Sequence, residues 1–225
     1  MTKNEVVARL KTAGTAQNRK VYRRHGVLGD KYGVSYAELG KFTKQIKTDH
    51  DLAVQLWDTG NHDARILATM IADPAKMKAA LLDSWSRDLD SYPLTDAFVV
   101  LVSKTDFAPK KMEKWAPAKS EWIAQAGWAL LSHLAVKHTD LPDSFFLEHL
   151  ETIEREIHSR KNRVRHSMNG ALIAIGLRNP KLEQRALAAA AGIGKVEVDH
   201  GETNCKTPDA AAYITKARKR KQPAL

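Results

Sequence analysis

Helical spacing governs this chain almost from end to end, and the joints between the periodic stretches are short and marked by proline or glycine. Val6, Val7, Leu10 and Ala13 fall on one face of a first helix, and Tyr36, Leu39, Phe42 and Ile46 on one face of another. Leu52, Leu56 and Trp57 form a third face, closed by Gly60, after which Asn61 caps a helix carrying Ala64, Ile66, Leu67, Met70 and Ile71. Pro74 is expected to open a helix running through Trp85, and Pro93 opens the next. Further helices are read at Pro109–Trp115, from the cap Ser120 through EWIAQAGWALLSHLAV, and at Phe145–Ile157, Arg163–Gly176 and Pro180–Ala191. Only IGKVEVDH, residues 193–200, alternates as a strand would. Helices alone leave two architectures, a globular bundle or a right-handed stack of helix pairs. Pairs recurring roughly every 35–45 residues favour the stack. The expectation is an all-α repeat domain over residues 1–192, followed by an extension over 193–225 that ends in a basic tail, KARKRK.

Charge narrows the function. Thirty-six Lys and Arg stand against 26 Asp and Glu, a net charge of +10, which favours polyanionic partners. The cations cluster: Arg19, Lys20, Arg23 and Arg24 in one segment, and Arg160, Lys161, Arg163 and Arg165 in another. Lys161, Arg163 and Arg165 open a helix, where free amide groups already attract phosphate. No apolar run approaches the ~20 residues that cross a bilayer, and MTKNEVVARLKTAG lacks the apolar centre of an export signal. Cys205 is the lone cysteine, which leaves no intrachain disulfide. The expectation is a cytoplasmic protein with no membrane partner.

Signatures of metal and nucleotide chemistry are missing from the sequence. It has no glycine-rich phosphate loop, no paired-histidine zinc motif and no nucleophile elbow. His200, Glu202 and Cys205 lie close together, but without a second ligand pair they read as a polar turn, so no metal is expected. Trp57, Trp85, Trp122 and Trp128 sit at helical spacing among apolar neighbours and read as core. Asp96, three residues after Pro93, has a plain explanation as a carboxylate favoured near a helix N-terminus.

A second explanation comes from a resemblance. LWDTGNHDAR at Leu56–Arg65, YPLTD at 92–96, EWIAQA at 121–126 and RVRHSMNG at 163–170 follow one another as in the AlkD-like DNA alkylation repair proteins, a HEAT-like repeat DNA glycosylase family. The resemblance spans roughly residues 5–190. It implies a HEAT-like helical repeat solenoid, a curved stack of antiparallel helix pairs, that holds damaged or distorted double-stranded DNA as a monomer. Active members hydrolyse the N-glycosidic bond of cationic N3- or N7-alkylated purines. Such a base is already a good leaving group, so the enzyme's task is to stabilise positive charge developing on the sugar, with no cofactor implied. Asp96 matches the family's catalytic aspartate and Tyr92 stands where a tryptophan is usual. Gln125 stands where active members place an arginine on the DNA backbone, and a second tryptophan position falls at or near Gly170, with His166 one turn earlier. The resemblance thus implies a site of Asp96, Tyr92 and Gln125, with Arg65, Lys161, Arg163, Arg165 and His166 on nucleic acid. An ion pair with Asp63 or Asp58 accounts for Arg65 nearly as well. Either base excision or recognition of distorted or branched DNA by shape fits this partly altered site.

Overall fold

Most helices of the first half begin where the sequence supplies an acceptor for their free amide groups. Thr2 and Glu5 form a reciprocal capping box on α1 (Lys3–Ala13), and Thr15, Ser35, Asp49 and Asn61 cap α2 (Ala16–Arg24), α3 (Tyr36–Ile46), α4 (His50–Trp57) and α5 (His62–Ile71). The structure, a computed structural model, describes residues 1–221. They fall into two compact units, one of residues 1–107 with 201–203, the other running from Ala108 to His200 and resuming at Asn204. The remaining helices are α6 (Ala79–Arg87) and α7 (Tyr92–Val102) in the first unit, and α8 (Ala108–Trp115), α9 (Glu121–Lys137), α10 (Asp143–Glu156), α11 (Asn162–Gly176), α12 (Pro180–Ile193) and α13 (Ala210–Lys221) in the second. No strand occurs among the described residues.

Within each unit, helices two apart share a layer. In the first, α3 packs on α5 and α5 on α7; in the second, α9 packs on α11 and α10 on α12. This alternation is what a stack of helix pairs requires, since each pair buries its apolar faces only against its neighbours. The core of the first unit is built on Trp57 and Trp85, both 1% exposed, stacked with parallel rings 4.1 Å apart against Phe98. In the second, α8 and α9 approach so closely that a Cβ on Gly127 would lie 2.2 Å from the backbone nitrogen of Ala116. Trp128 is buried there, as expected, and Trp122 is only partly covered.

Three segments differ from the expectation. Pro74 starts only a 3-10 turn, Pro74–Lys76, because Met77 and Lys78 take extended backbone and bury Met77 before α6 begins. QNRKVYRR, nearly devoid of apolar residues, is helix α2 all the same, held by the buried Tyr22, whose hydroxyl donates to the carbonyl of Val34. Residues 194–200 form no strand; Asp199 and Asn162 instead exchange two hydrogen bonds of 2.7 Å. The C-terminal basic cluster lies on α13, which buries Ile214 against Gly176 and pairs Arg218 with Glu183 at 3.1 Å. Residues 222–225 of the expected extension lie outside the described residues.

Candidate functional site

Most residues of LWDTGNHDAR are occupied with folding; Asp58 is exposed. Leu56 and Trp57 are core, Thr59 returns its hydroxyl to the Leu56 carbonyl, and Gly60 takes φ +71°, which a Cβ would oppose. Asn61 caps α5 and also donates to Asp30 Oδ2 at 2.9 Å. Asp63, fully buried, accepts the backbone N–H groups of Tyr32, Gly33 and Val34 at 2.7, 3.0 and 2.7 Å. Its carboxylate thereby fixes the loop between α2 and α3. Arg65 lies over the Trp57 ring and meets Asp88, by its side chain at 3.5 Å and its carbonyl at 3.2 Å. The ion pair of Arg65 is therefore with Asp88, not with Asp63 or Asp58.

That fixed loop borders the residues around Asp96. Tyr92 is the first residue of α7 and Asp96 the fifth, so the two lie one turn apart on one face. Asp96 is exposed and stands beyond the first turn, where the attraction of the helix dipole fades. A position chosen only to serve the N-terminus would lie earlier. The Tyr92 hydroxyl is hydrogen-bonded to His25 Nδ1, and the two rings meet edge to face at 5.8 Å. Tyr36, at the start of α3, leaves 47% of its surface in solvent. Partial burial, followed by the negative charges of Asp96 and Asp63 and of Tyr92 when ionised, pushes its pKa up to about 12. Tyr36 therefore stays a neutral donor beside Asp96 at physiological pH. Burial lowers the pKa of His62 and keeps its ring neutral, edge-on to Tyr22 at 5.1 Å.

The second unit carries the other expected residues. Gln125 is only 1% exposed within α9, between the buried Ala124 and Ala126. Lys161, exposed, is the N-cap of α11, and Glu121 Oε1 accepts the Arg163 backbone N–H at 2.7 Å. Arg163 is 9% exposed and Arg165 partly covered. Burial, then the charge of Arg163 and the ring of His200, pulls His166 down to about 4; the two imidazoles meet perpendicularly at 5.5 Å. His200 Nε2 is shared with Thr207 Oγ1 at 3.0 Å. At Gly170 an added Cβ would meet only Ser132 Oγ, at 3.8 Å, so packing at that carbon does not demand glycine.

Sequence reasoning thus missed Tyr36, His25 and Asp63. Tyr36 follows a Ser cap and Asp63 follows an Asn cap, so each could be located on its helix. Nothing in their spacing placed Tyr36 beside Asp96, 60 positions away.

Comparison with known proteins follows the same lines. A family model described as DNA alkylation repair enzyme matches residues 6–214. An uncharacterized protein of Listeria innocua is 34% identical over 209 residues, covering 89% of this chain and 90% of its own, and one of Listeria monocytogenes is 33% identical over the same shares. A solved structure from a family of proteins related to the HEAT-like repeat DNA glycosylases, with affinity for branched DNA structures, superposes with a TM-score of 0.89 at 28% identity over 98% of this chain and 95% of that one. The fold is therefore a HEAT-like helical repeat, as expected.

Proposed function

Because the chain belongs to the DNA alkylation repair enzyme family, we propose that it binds DNA through the sugar–phosphate backbone and selects distorted or branched duplexes by shape. Arg19, Lys20, Arg23 and Arg24 are all exposed on or beside one face of α2, and Lys161, Lys216 and Lys219 are exposed in the second unit. Contacts of this kind position a protein on DNA without reading sequence, and their strength falls steeply with salt. The affinity for branched DNA in the structural relative's family supports the same partner. One observation carries the choice of binding over excision. Where the resemblance places a backbone-contacting arginine, this chain has a neutral Gln125 at 1% exposure, which gives weaker hydrogen bonds than a cation and has almost no surface to offer a phosphate.

A second reading, excision of cationic N3- or N7-alkylated purines, is favoured by the exposure of Asp96 near Tyr36 and one turn from Tyr92. In it the C1′–N bond breaks with its electron pair going to the base, which becomes neutral. Asp96 faces the positive charge left on the sugar, water adds at C1′, and its proton passes to Asp96 or to solvent. Tyr36 and Tyr92 offer ring faces to the cationic base.

Two assays on one preparation separate these. Fluorescence anisotropy should give tighter binding to a four-way junction than to linear duplex of the same composition, weakening with salt, and a duplex containing 7-methylguanine should release no free base. Equal affinity for junction and linear duplex would overturn selection by shape. Lesion-dependent release that Asp96→Asn abolishes would replace this reading with the second.

A further inference from the structure

Leu28 stands at the tip of the loop between α2 and α3 with 83% of its surface in solvent, more than any other large apolar side chain among the described residues. Single exposed leucines are ordinary on protein surfaces, so exposure alone says nothing. Two further features set this one apart.

The first is that its loop is held on both sides. Val27, immediately before, is fully buried and its N–H donates to the Tyr22 carbonyl at 3.0 Å, while Gly26 turns the chain at φ +76°. Lys31 closes the tip from beneath, its ammonium donating to the carbonyls of Leu28 and Gly29 at 3.4 and 2.8 Å. Beyond it, Asp30 is tied to α5 through Asn61 Nδ2 and the His62 N–H, both at 2.9 Å, and Asp63 grips the next three amides. An apolar side chain held out by so many bonds has paid its ordering cost before any partner arrives.

The second is its neighbours. A Cβ on Gly29 would lie 3.3 Å from Asp90 Oδ2, so the tip leans on the residues that lead directly into Tyr92 and Asp96. Arg23 and Arg24, exposed on the last turn of α2, stand just before the loop. Carboxylates at Asp30 and Asp90 disfavour a phosphate at the tip itself, whereas the two arginines favour one nearby. What suits Leu28 is therefore an uncharged base step, flanked by backbone that the arginines hold.

We propose that Leu28 is a wedge that enters an interrupted base stack at the branch point of DNA. This rests on the DNA-binding reading above. Apolar side chains inserted between base steps unstack and kink a duplex, and the cost is least where stacking is already broken, as at a junction. Leu28 thus supplies selection by shape, and the cations supply affinity for any duplex.

The test compares wild type with Leu28→Ala on a four-way junction and on linear duplex, with 2-aminopurine placed at the branch point. Because Leu28 leaves 83% of its surface in solvent, the substitution should leave the fold alone. Loss of a buried leucine contact should weaken junction binding about tenfold, leave linear affinity unchanged, and abolish the 2-aminopurine fluorescence rise that wild type produces. Leu28→Met, which keeps an apolar reach, should retain both. If wild type prefers the junction and Leu28→Ala does so equally, the wedge is wrong and the binding reading stands. If both DNAs weaken alike, Leu28 is a general contact and the wedge is again wrong. If wild type binds neither DNA, the proposed function falls and the wedge with it.

Discussion

Replacing Asp63 by Asn should lower stability far more than so small a change in volume suggests. Three backbone N–H groups point at this carboxylate, two at Oδ2 and one at Oδ1, from a loop whose Gly33 and Val34 are buried. An amide can present its oxygen to the pair, but its NH2 then faces the Val34 N–H, donor against donor. One charge-assisted bond is lost and a buried N–H is left without an acceptor, together about 3 kcal/mol. For a chain of this size that lowers the melting temperature by roughly 6–12 °C. Scanning calorimetry of the pair measures it, and amide exchange localises it, since protection should fall first at Tyr32, Gly33 and Val34. A spectroscopic readout separates loss of charge from general loosening. Asp63 is one of the charges that raise Tyr36, so without it the Tyr36 hydroxyl should titrate below about 12, though still above an ordinary tyrosine because burial and Asp96 remain. A melting temperature within about 2 °C of wild type, a difference of under ~1 kcal/mol, would refute the staple.

Arg65→Ala removes a guanidinium that lies over Trp57 and bonds its carbonyl and Asp88, and should lower stability by about 1–2 kcal/mol. The salt dependence of DNA binding should not change; a slope smaller by about one would instead assign Arg65 to a phosphate. His166 is held at about 4 in the folded protein against 6.5 in an ordinary histidine. The unfolded chain therefore takes up the proton first, and stability should be full above pH 6.5 and decline as pH falls from there towards 4. His62 and His133 are shifted the same way, so denaturant midpoints against pH should show this slope in wild type and a shallower one in His166→Gln. Gly170→Ala and Gly127→Ala should have opposite signs, the first stabilising by about 0.5–1 kcal/mol because a helical Cβ there makes only an ordinary contact with Ser132, the second destabilising because the end of α8 leaves no room. Thermal melts of the two, run side by side, decide it.

The repeat architecture was legible because apolar spacing reports directly on which face a helix buries. The Asn61 cap was legible for the same reason, being local. Helix α2 was not, because its one deeply buried anchor, Tyr22, leaves no apolar period to read. The helix starting at Pro74 was overread. Proline fixes the first turn, but only tertiary burial of Met77 decides that the chain then straightens. Around the site, Tyr92 and Asp96 could be paired from their spacing of four. Tyr36 and His25 lie 56 and 67 positions before Tyr92, and only the folded chain brings them to it.

The distribution of these residues bears on what family likeness can transfer. LWDTGNHDAR reads as a functional signature, yet its aromatic is stacked in the core, its asparagine caps, its aspartate holds a loop and its arginine closes on Asp88. Another chain that carries these ten residues inherits a folded α4–α5 pair and a fixed α2–α3 loop, whatever it binds. The proposals rest on a different set: excision, in the second reading, would draw on Tyr36, Tyr92 and Asp96, and selection among DNA shapes, in the wedge proposal, would draw on what the fixed loop holds out. Leu28 lies outside that signature, although on the physical argument it separates a protein that grips every duplex from one that seeks a branch. A chain with the signature intact but a polar residue at the loop tip should keep the fold and the salt-dependent grip while losing the preference.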